Sequence, residues 1–274
     1  MPALAVTAPF GFDFDPVRFL KAYRAAGISQ AQFYRNEAKP PTVAQALAAS
    51  GAAGVPFDSI HGVFGEHIDP TSPDPAERER CLKVYETEGK LAVELGGPMV
   101  VVHPAKFNAG MRLMDVAEAE ALSAPRWAVL DQWLPRLAEI GAKLGVVYLI
   151  ENQPRNTPLG HDAPRLAEHV LMQRSPHIRM CYDVGHAHMT GDIVQTLRVC
   201  APAIDYLHIH DNDATKDDHR MPGDGTIDWA AFAKVLRETG LKAPRMLEVF
   251  YDEPKVESLA AAGLGKRLAS ALAT

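Results

Sequence analysis

Cysteine is scarce in this sequence, and long apolar runs are missing from it. Three cysteines in 274 residues, Cys81, Cys181 and Cys200, lie too far apart to indicate a disulfide framework or a thiolate zinc knuckle. No run approaches the roughly 18 apolar residues of a membrane span. Residues 1–15 show no basic segment typical of a secretory signal. We therefore expect a cytoplasmic protein without a membrane partner.

Excess positive charge is also missing. The formal net charge is −6, which gives no general attraction to nucleic acid. The sequence shows no Ser/Gly-rich linker, internal repeat or low-complexity block. We expect residues 1–274 to form one domain and do not expect nucleic acid as a partner.

Eight short β-prone runs are present, each followed by a helix-like segment. This alternation is typical of a parallel sheet covered by helices, and eight such units favour a closed barrel over an open sheet. We predict the α/β class and a single (β/α)8 TIM barrel. The eight runs are LAVTAP, AQFYRN, FDSIHGVF, PMVVVHP, GVVYLIEN, IRMCYDVGH, IDYLHIHDN and RMLEVFY.

Three of the predicted helices carry clear start signals. Asp15, Thr42 and Asp228 each precede an amphipathic or Ala-rich stretch, and each of those stretches ends on glycine. The segment 104–125, after the fourth strand, reads instead as a long connection. Long connections on the active side of a barrel often act as lids.

Acidic residues and histidines recur where the predicted strands end. In a closed barrel these carboxyl ends meet around one mouth, where catalytic groups lie. Whether His210 points into the mouth stays open, and the acidic residues at 211, 213, 217 and 218 read mainly as a solvated loop. The residues at the strand ends are His61, His103, Glu151, Asp183, His186, His208, His210, Asp211 and Glu248.

Carboxylates crowded at a barrel mouth repel one another unless a proton or a cation neutralises them. A core of Glu151, Asp183, His208 and Glu248 therefore predicts a site for one divalent metal ion. Its oxygen-rich ligand set favours Mn²⁺ or Mg²⁺, and additional imidazoles would shift the preference toward Zn²⁺ or Co²⁺. Of these ions, we expect Mn²⁺ to be the one bound.

The two glutamates lie on predicted strands that are not neighbours, so they would reach a substrate from different sides. Glu151 and Glu248 then form an acid–base pair. One removes the proton beside a carbonyl and the other returns a proton to the opposite face, while the metal stabilises the enediolate. This chemistry is isomerisation or epimerisation of a sugar or a sugar-like hydroxy-ketone.

The motifs LIENQP, YDVGHAH, YLHIHDND, HRMPGDGTIDW and MLEVFYDEP together resemble the xylose isomerase-like barrel superfamily, over nearly the whole chain. In its epimerase branch the matching positions imply Glu151, Asp183, His208 and Glu248 as metal ligands. His186 resembles a histidine that binds a substrate oxygen, and His219 stands where arginine is usual. The epimerases follow the first glutamate with "NR" and a second glutamate, whereas this chain reads ENQPRNTP.

The same superfamily contains type IV apurinic endonucleases, and this resemblance implies an alternative. His61, His103, His186, Asp217 and His219 match the additional metal ligands of that branch's three-zinc site. A multi-zinc phosphoesterase therefore stays open, as do a dehydratase of the inosose or dehydroshikimate type and a non-catalytic barrel that keeps the metal site. In the single-metal interpretation, His61, His103, His186 and His219 bind substrate. The expected partner is a carbohydrate-like small molecule, and homo-oligomerisation is left open.

Overall fold

A computed structural model describes residues 2–107, 110 and 112–272, and it confirms the predicted barrel. Eight parallel strands pair in sequence order, and the eighth closes the barrel by pairing with the first. No helix in the described part of the chain is long and apolar enough to cross a membrane. The strands are β1 (Leu4–Phe10), β2 (Gln30–Arg35), β3 (Phe57–His61), β4 (Met99–Val102), β5 (Val147–Glu151), β6 (Ile178–Asp183), β7 (Ile204–Ile209) and β8 (Arg245–Leu247).

Helices surround the barrel, and their starts follow the predicted capping residues. Asp15, Thr42 and Asp228 each accept hydrogen bonds from backbone N–H groups of the first helical turn. The helices are α1 (Pro16–Ala25), α2 (Val43–Ala53), α3 (Pro75–Leu95), α4 (Val116–Leu144), α5 (Ala163–Met172), α6 (Val184–Thr190), α7 (Ile193–Cys200), α8 (Trp229–Thr239), α9 (Glu253–Ala261) and α10 (Leu264–Leu272).

Two predicted helix boundaries were wrong, and prolines and glycines explain both. The predicted connection 104–125 ends early, because α4 begins at Val116 and contains Pro125 and Pro135 within its length. Proline usually ends or kinks a helix, which made this segment read as irregular. Helix α2 continues past Gly51 and ends only at Gly54, whose left-handed φ of 67° suits glycine.

The barrel interior has an apolar floor with a polar layer near it. The floor contains Val101, Leu149, Cys181 and Met246, which are all completely buried. A register shift between β2 and β3 pairs Ala31 with Phe57 but Gln32 with Ser59. Asp58 is left out of this pairing, and its Oδ1 accepts hydrogen bonds from Ser59 Oγ at 2.8 Å and Tyr206 Oη at 2.9 Å.

The loop between β7 and α8 is held by Asp211. This carboxylate is completely buried and accepts hydrogen bonds from four groups, so the prediction of a solvated residue was wrong. Asp217 and His219 of this loop line the cavity at the barrel mouth, and Asp211 serves as the loop's internal anchor. The four donors are Asn212 N at 2.9 Å, Gly223 N at 2.8 Å, Ile227 N at 3.2 Å and Trp229 Nε1 at 2.8 Å.

Replacing Asp211 by asparagine is expected to destabilise the fold by about 2–4 kcal/mol, since an amide replaces one acceptor oxygen and leaves two buried donors unpaired. The measurement is the free energy of unfolding in urea. Asp213→Asn removes the same charge from a half-exposed position on this loop and should cost less than about 1 kcal/mol. Equal losses in the two variants would show that Asp211 does not anchor the loop.

A second stability prediction concerns Asp58. Burial raises the pKa of Asp58 from 3.8 to about 6, against the lowering effect of its hydrogen bonds to Ser59 and Tyr206. When the pKa of a carboxyl is higher in the folded than in the unfolded protein, the folded protein loses stability as pH rises through the folded pKa. The stability of Asp58→Asn relative to the unmodified protein should therefore increase by about 1 kcal/mol between pH 5 and pH 7.5. Urea unfolding at the two pH values measures this, and a difference independent of pH would contradict it.

Candidate active site

The structure brings the predicted metal ligands together at the carboxyl end of the barrel. Glu151 ends β5, Asp183 ends β6, His208 lies within β7, and Glu248 follows β8. All four side chains are buried. Each offers one ligand atom, and these atoms lie within 4.8 Å of one another.

His208 Nδ1 lies at the centre of this quartet. It is 2.7 Å from Glu151 Oε1, 2.9 Å from Glu248 Oε2 and 3.7 Å from Asp183 Oδ2. Among the described residues, neither His208 Nδ1 nor Glu151 Oε1 has a partner aligned for a hydrogen bond. Buried ligand atoms that converge without hydrogen bonds are what a divalent cation requires, so the quartet fits such an ion.

The charges of the quartet depend on one another. Burial opposes ionisation of Glu151 and Glu248. The neighbouring histidines outweigh it, His208 first, with His103 beside Glu151 and His219 beside Glu248, and hold the pKa of both carboxyls well below the usual range. Burial likewise opposes a charge on His208, yet Cys181, Glu248 and Glu151 together keep the pKa of its imidazole well above the usual range. Without a cation, protonated imidazole therefore supplies the positive charge that these carboxylates need.

His61 and His103 lie on the other side of Glu151. His103 Nε2 is 2.9 Å from Glu151 Oε2, and His61 Nε2 is 3.9 Å from the same atom. His61 Nδ1 lies 2.9 Å from the carbonyl oxygen of Gly62 and donates its proton there, so Nε2 of the neutral ring carries a lone pair. Burial, together with His103, lowers the pKa of His61 to about 4, which keeps the ring neutral.

The remaining predicted residues form a third group near Asp183. Asp217 Oδ2 is 3.2 Å from His186 Nε2, and Asp217 Oδ1 is 3.5 Å from His219 Nδ1. Burial lowers the pKa of His219, but Asp217 outweighs it and raises this pKa to about 9. His219 also approaches Glu248, with 3.8 Å between Nε2 and Oε2.

His210, whose direction the sequence left open, points into this third group. Its Nε2 lies 3.1 Å from Asp183 Oδ1, and its ring stacks on His219 with 4.2 Å between centroids. Gly185 makes room for it, because a Cβ there would lie 1.9 Å from the His210 ring. Positions 208 and 210 have equal side parity, which indicates this orientation only if the strand continues; β7 ends at Ile209, and the sequence alone left the direction open.

Sequence reasoning missed Asn152. Its Nδ2 donates to the carbonyl oxygen of Asp183 at 2.9 Å, and its Oδ1 accepts from the backbone N–H of Asp183 at 2.8 Å. Its own carbonyl oxygen lies 2.9 Å from His186 Nδ1. Asn152 thus fixes the end of β6 beside β5 and orients His186. Its position directly after Glu151 was the only available signal.

A cavity of about 180 Å³ lies above these groups. Four aromatic rings line one part of it, and titratable side chains together with Gln153 line the rest; among the described residues it has no lysine or arginine in its wall. Trp229 does not line this cavity; its Nε1 donates to Asp211 Oδ2 at 2.8 Å. The aromatic residues are Tyr34, Phe64, Phe107 and Phe250.

Comparison with known proteins agrees with this architecture. L-ribulose 3-epimerase superposes with a TM-score of 0.78 at 21% identity, over 99% of this chain and 96% of that one. An uncharacterized protein of Methanocaldococcus jannaschii is 27% identical over 188 residues, which are 66% of this chain and 60% of that protein. A fructoselysine 3-epimerase of Shigella flexneri is 22% identical, over 61% of this chain and 60% of its own length.

The matched region therefore spans about three fifths of these curated relatives' length. The family model described as "Xylose isomerase-like TIM barrel" matches residues 6–268, nearly the whole chain. The chain therefore belongs to the xylose isomerase-like TIM-barrel family.

Proposed function

We propose that this protein is a divalent-metal-dependent isomerase or epimerase of a sugar or sugar-like hydroxy-ketone. The observation that carries the proposal is that Glu151 and Glu248, from non-adjacent strands, both line the mouth cavity and both approach Nδ1 of His208. The 3-epimerase names among the similar proteins support the same class of reaction.

In this proposal Glu151 and Glu248 move the proton. One carboxylate removes the proton from the carbon beside the substrate carbonyl, and the other carboxyl returns a proton to the opposite face or the adjacent carbon. A divalent cation held by Glu151, Asp183, His208 and Glu248 would supply Lewis-acid stabilisation of negative charge on the substrate oxygens. His186 and His219, which line the cavity, orient those oxygens.

The cavity favours a small substrate without phosphate. Its volume is about 180 Å³, and the described residues place no lysine or arginine in its wall to pair with a phosphate. Aromatic rings such as Phe64 and Phe250 offer apolar faces against the carbon skeleton of a sugar. The cytoplasmic location remains a prediction from the sequence.

Glu151→Gln and Glu248→Gln should each lower the rate of solvent-proton exchange into the substrate by roughly 10²–10⁴-fold, because each removes one member of the acid–base pair. The measurement uses manganese-loaded protein in D₂O with a panel of free ketoses and keto-polyols. Mass spectrometry detects the deuterium incorporated, and elemental analysis of each variant separates lost chemistry from lost metal.

Glu94→Gln, an exposed glutamate on α3, is the matched control and should exchange at the unmodified rate. Full turnover by Glu151→Gln on an identified substrate would refute the proposed mechanism. A product that has lost water would assign the dehydratase reaction instead, since the same carbanion-type intermediate can expel a β-hydroxyl.

A multi-zinc hydrolase is the second candidate, and one observation favours it. His61, His103 and Glu151 form a second group of ligand type, with Glu151 shared between this group and the quartet. Metal ions held in this way would activate water and shield phosphate charge. The absence of lysine and arginine from the described cavity wall opposes this candidate, because phosphoester and nucleic-acid substrates usually contact cationic side chains.

The number of metal ions per chain separates the two candidates. We expect about one divalent ion in protein purified without chelator, retained when His61 and His103 are both replaced by alanine and lost in His208→Ala. Elemental analysis gives the count. Two or three zinc ions per chain, reduced by one in the His61/His103 double variant, would favour the hydrolase, and phosphoesters would then be the first substrates to test.

A further inference from the structure

A polar layer inside the barrel contacts the ring of His208 on the side that faces away from the other three residues of the quartet. Gln32 on β2, Ser59 on β3 and Tyr206 on β7 form it, and all three are completely buried. Gln32 Nε2 lies 3.2 Å from Ser59 Oγ, which in turn lies 2.9 Å from Tyr206 Oη. Burying polar groups of this kind costs free energy unless they form hydrogen bonds.

The partner is the second ring nitrogen of His208. Nδ1 faces Glu151 and Glu248, whereas Nε2 lies 3.2 Å from the amide nitrogen, Nε2, of Gln32. A neutral imidazole carries one proton, so a lone pair on Nδ1 for a cation requires the proton on Nε2. This Nε2–H group is buried and needs an acceptor.

Gln32 can provide that acceptor. Its Oε1 is buried and, within the described residues, accepts no hydrogen bond. The oxygen and nitrogen of a carboxamide exchange places by a half-turn about the last side-chain bond, which would bring Oε1 to His208 Nε2. Ser59 Oγ accepts from Gln32 Nε2 in the structure; in the turned orientation its O–H would donate to Gln32 Oε1 instead of to Asp58, which keeps the hydrogen bond from Tyr206.

We propose that Gln32 is the positioning residue of His208. Its amide oxygen accepts a hydrogen bond from the Nε2–H group of His208, and this bond keeps the Nδ1 lone pair directed toward Glu151, Asp183 and Glu248. The inference rests on the metal site of the proposed function but not on any particular substrate. Outer hydrogen bonds of this type fix the tautomer and orientation of ligating histidines.

An irregularity in the pairing of β2 with β3 places Gln32 for this role. The register shift between β2 and β3 brings Gln32 opposite Ser59 and leaves out Asp58. Asp58 accepts from both Ser59 and Tyr206 in the structure and holds the Tyr206 hydroxyl in either orientation of the Gln32 amide. Regular pairing would set Gln32 beside Asp58, so the bulge is part of the support for His208.

The test compares metal affinity in two variants of opposite chemistry. Gln32→Met keeps the size of the side chain but removes the amide acceptor, and it should weaken Zn²⁺ and Mn²⁺ binding by roughly 10–100-fold. Gln32→Glu keeps an acceptor for Nε2–H and should bind zinc as tightly as the unmodified protein or more tightly. Affinities are measured on the full chain by competition with a chromogenic chelator.

Thr7→Val is the matched control, because Thr7 is an equally buried polar residue on β1 whose hydroxyl donates a hydrogen bond to the sulfur of Met246. It should leave zinc affinity within about twofold. Unchanged affinity in Gln32→Met would overturn the inference, and so would equal weakening in Gln32→Met and Gln32→Glu. Failure of the unmodified protein to bind any metal would instead refute the metal site itself.

A spectroscopic measurement keeps the inference testable if Gln32→Met does not fold. In zinc-loaded protein labelled with ¹⁵N-histidine, the long-range ¹H–¹⁵N spectrum should show His208 protonated at Nε2, with a slowly exchanging proton. The signal is identified by its loss in His208→Asn. Protonation of His208 at Nδ1 in the zinc-loaded protein would overturn the inference.

Discussion

Mutual repulsion of three buried carboxylates is the constraint on which the rest of the mouth depends. Glu151, Asp183 and Glu248 cannot remain ionised together in a water-poor site without positive charge between them. The histidines supply that charge as protons, which is why the pKa of His208 is raised and those of both glutamates are lowered. A cation would take the place of these protons, so metal binding and proton release are linked.

The surrounding structure keeps these groups from relaxing apart. Asn152 joins the ends of β5 and β6, and Gly185 leaves the space that His210 needs beside Asp183. Asp211 anchors the loop that brings Asp217 and His219 over the mouth. His219 has a left-handed φ of 47°, which is unfavourable for histidine and persists because the loop around it is fixed.

The sequence predicted the strands and their ends well, because alternation of apolar runs and helices is a local signal. It predicted the packing around them less well. Asp211 read as solvated because its four donors come from residues up to 18 positions away. The role of Gln32 depends on a register shift between β2 and β3, and no local periodicity reports such a shift. Helix α4 was shortened in prediction because Pro125 lies inside it.

The position of Glu151 between two groups of histidines bears on the choice of reaction. Its Oε1 faces His208, and its Oε2 faces His103 and Gln153. If His61 and His103 shared a metal ion with Oε2, both oxygens of this carboxylate would be ligands, and neither would be free to accept a proton from carbon. With that pair of histidines holding no metal, Oε2 keeps hydrogen-bonding partners suited to either protonation state. Proton transfer by Glu151 and a metal ion held by His61 and His103 are therefore alternatives, because both need the same oxygen, Oε2.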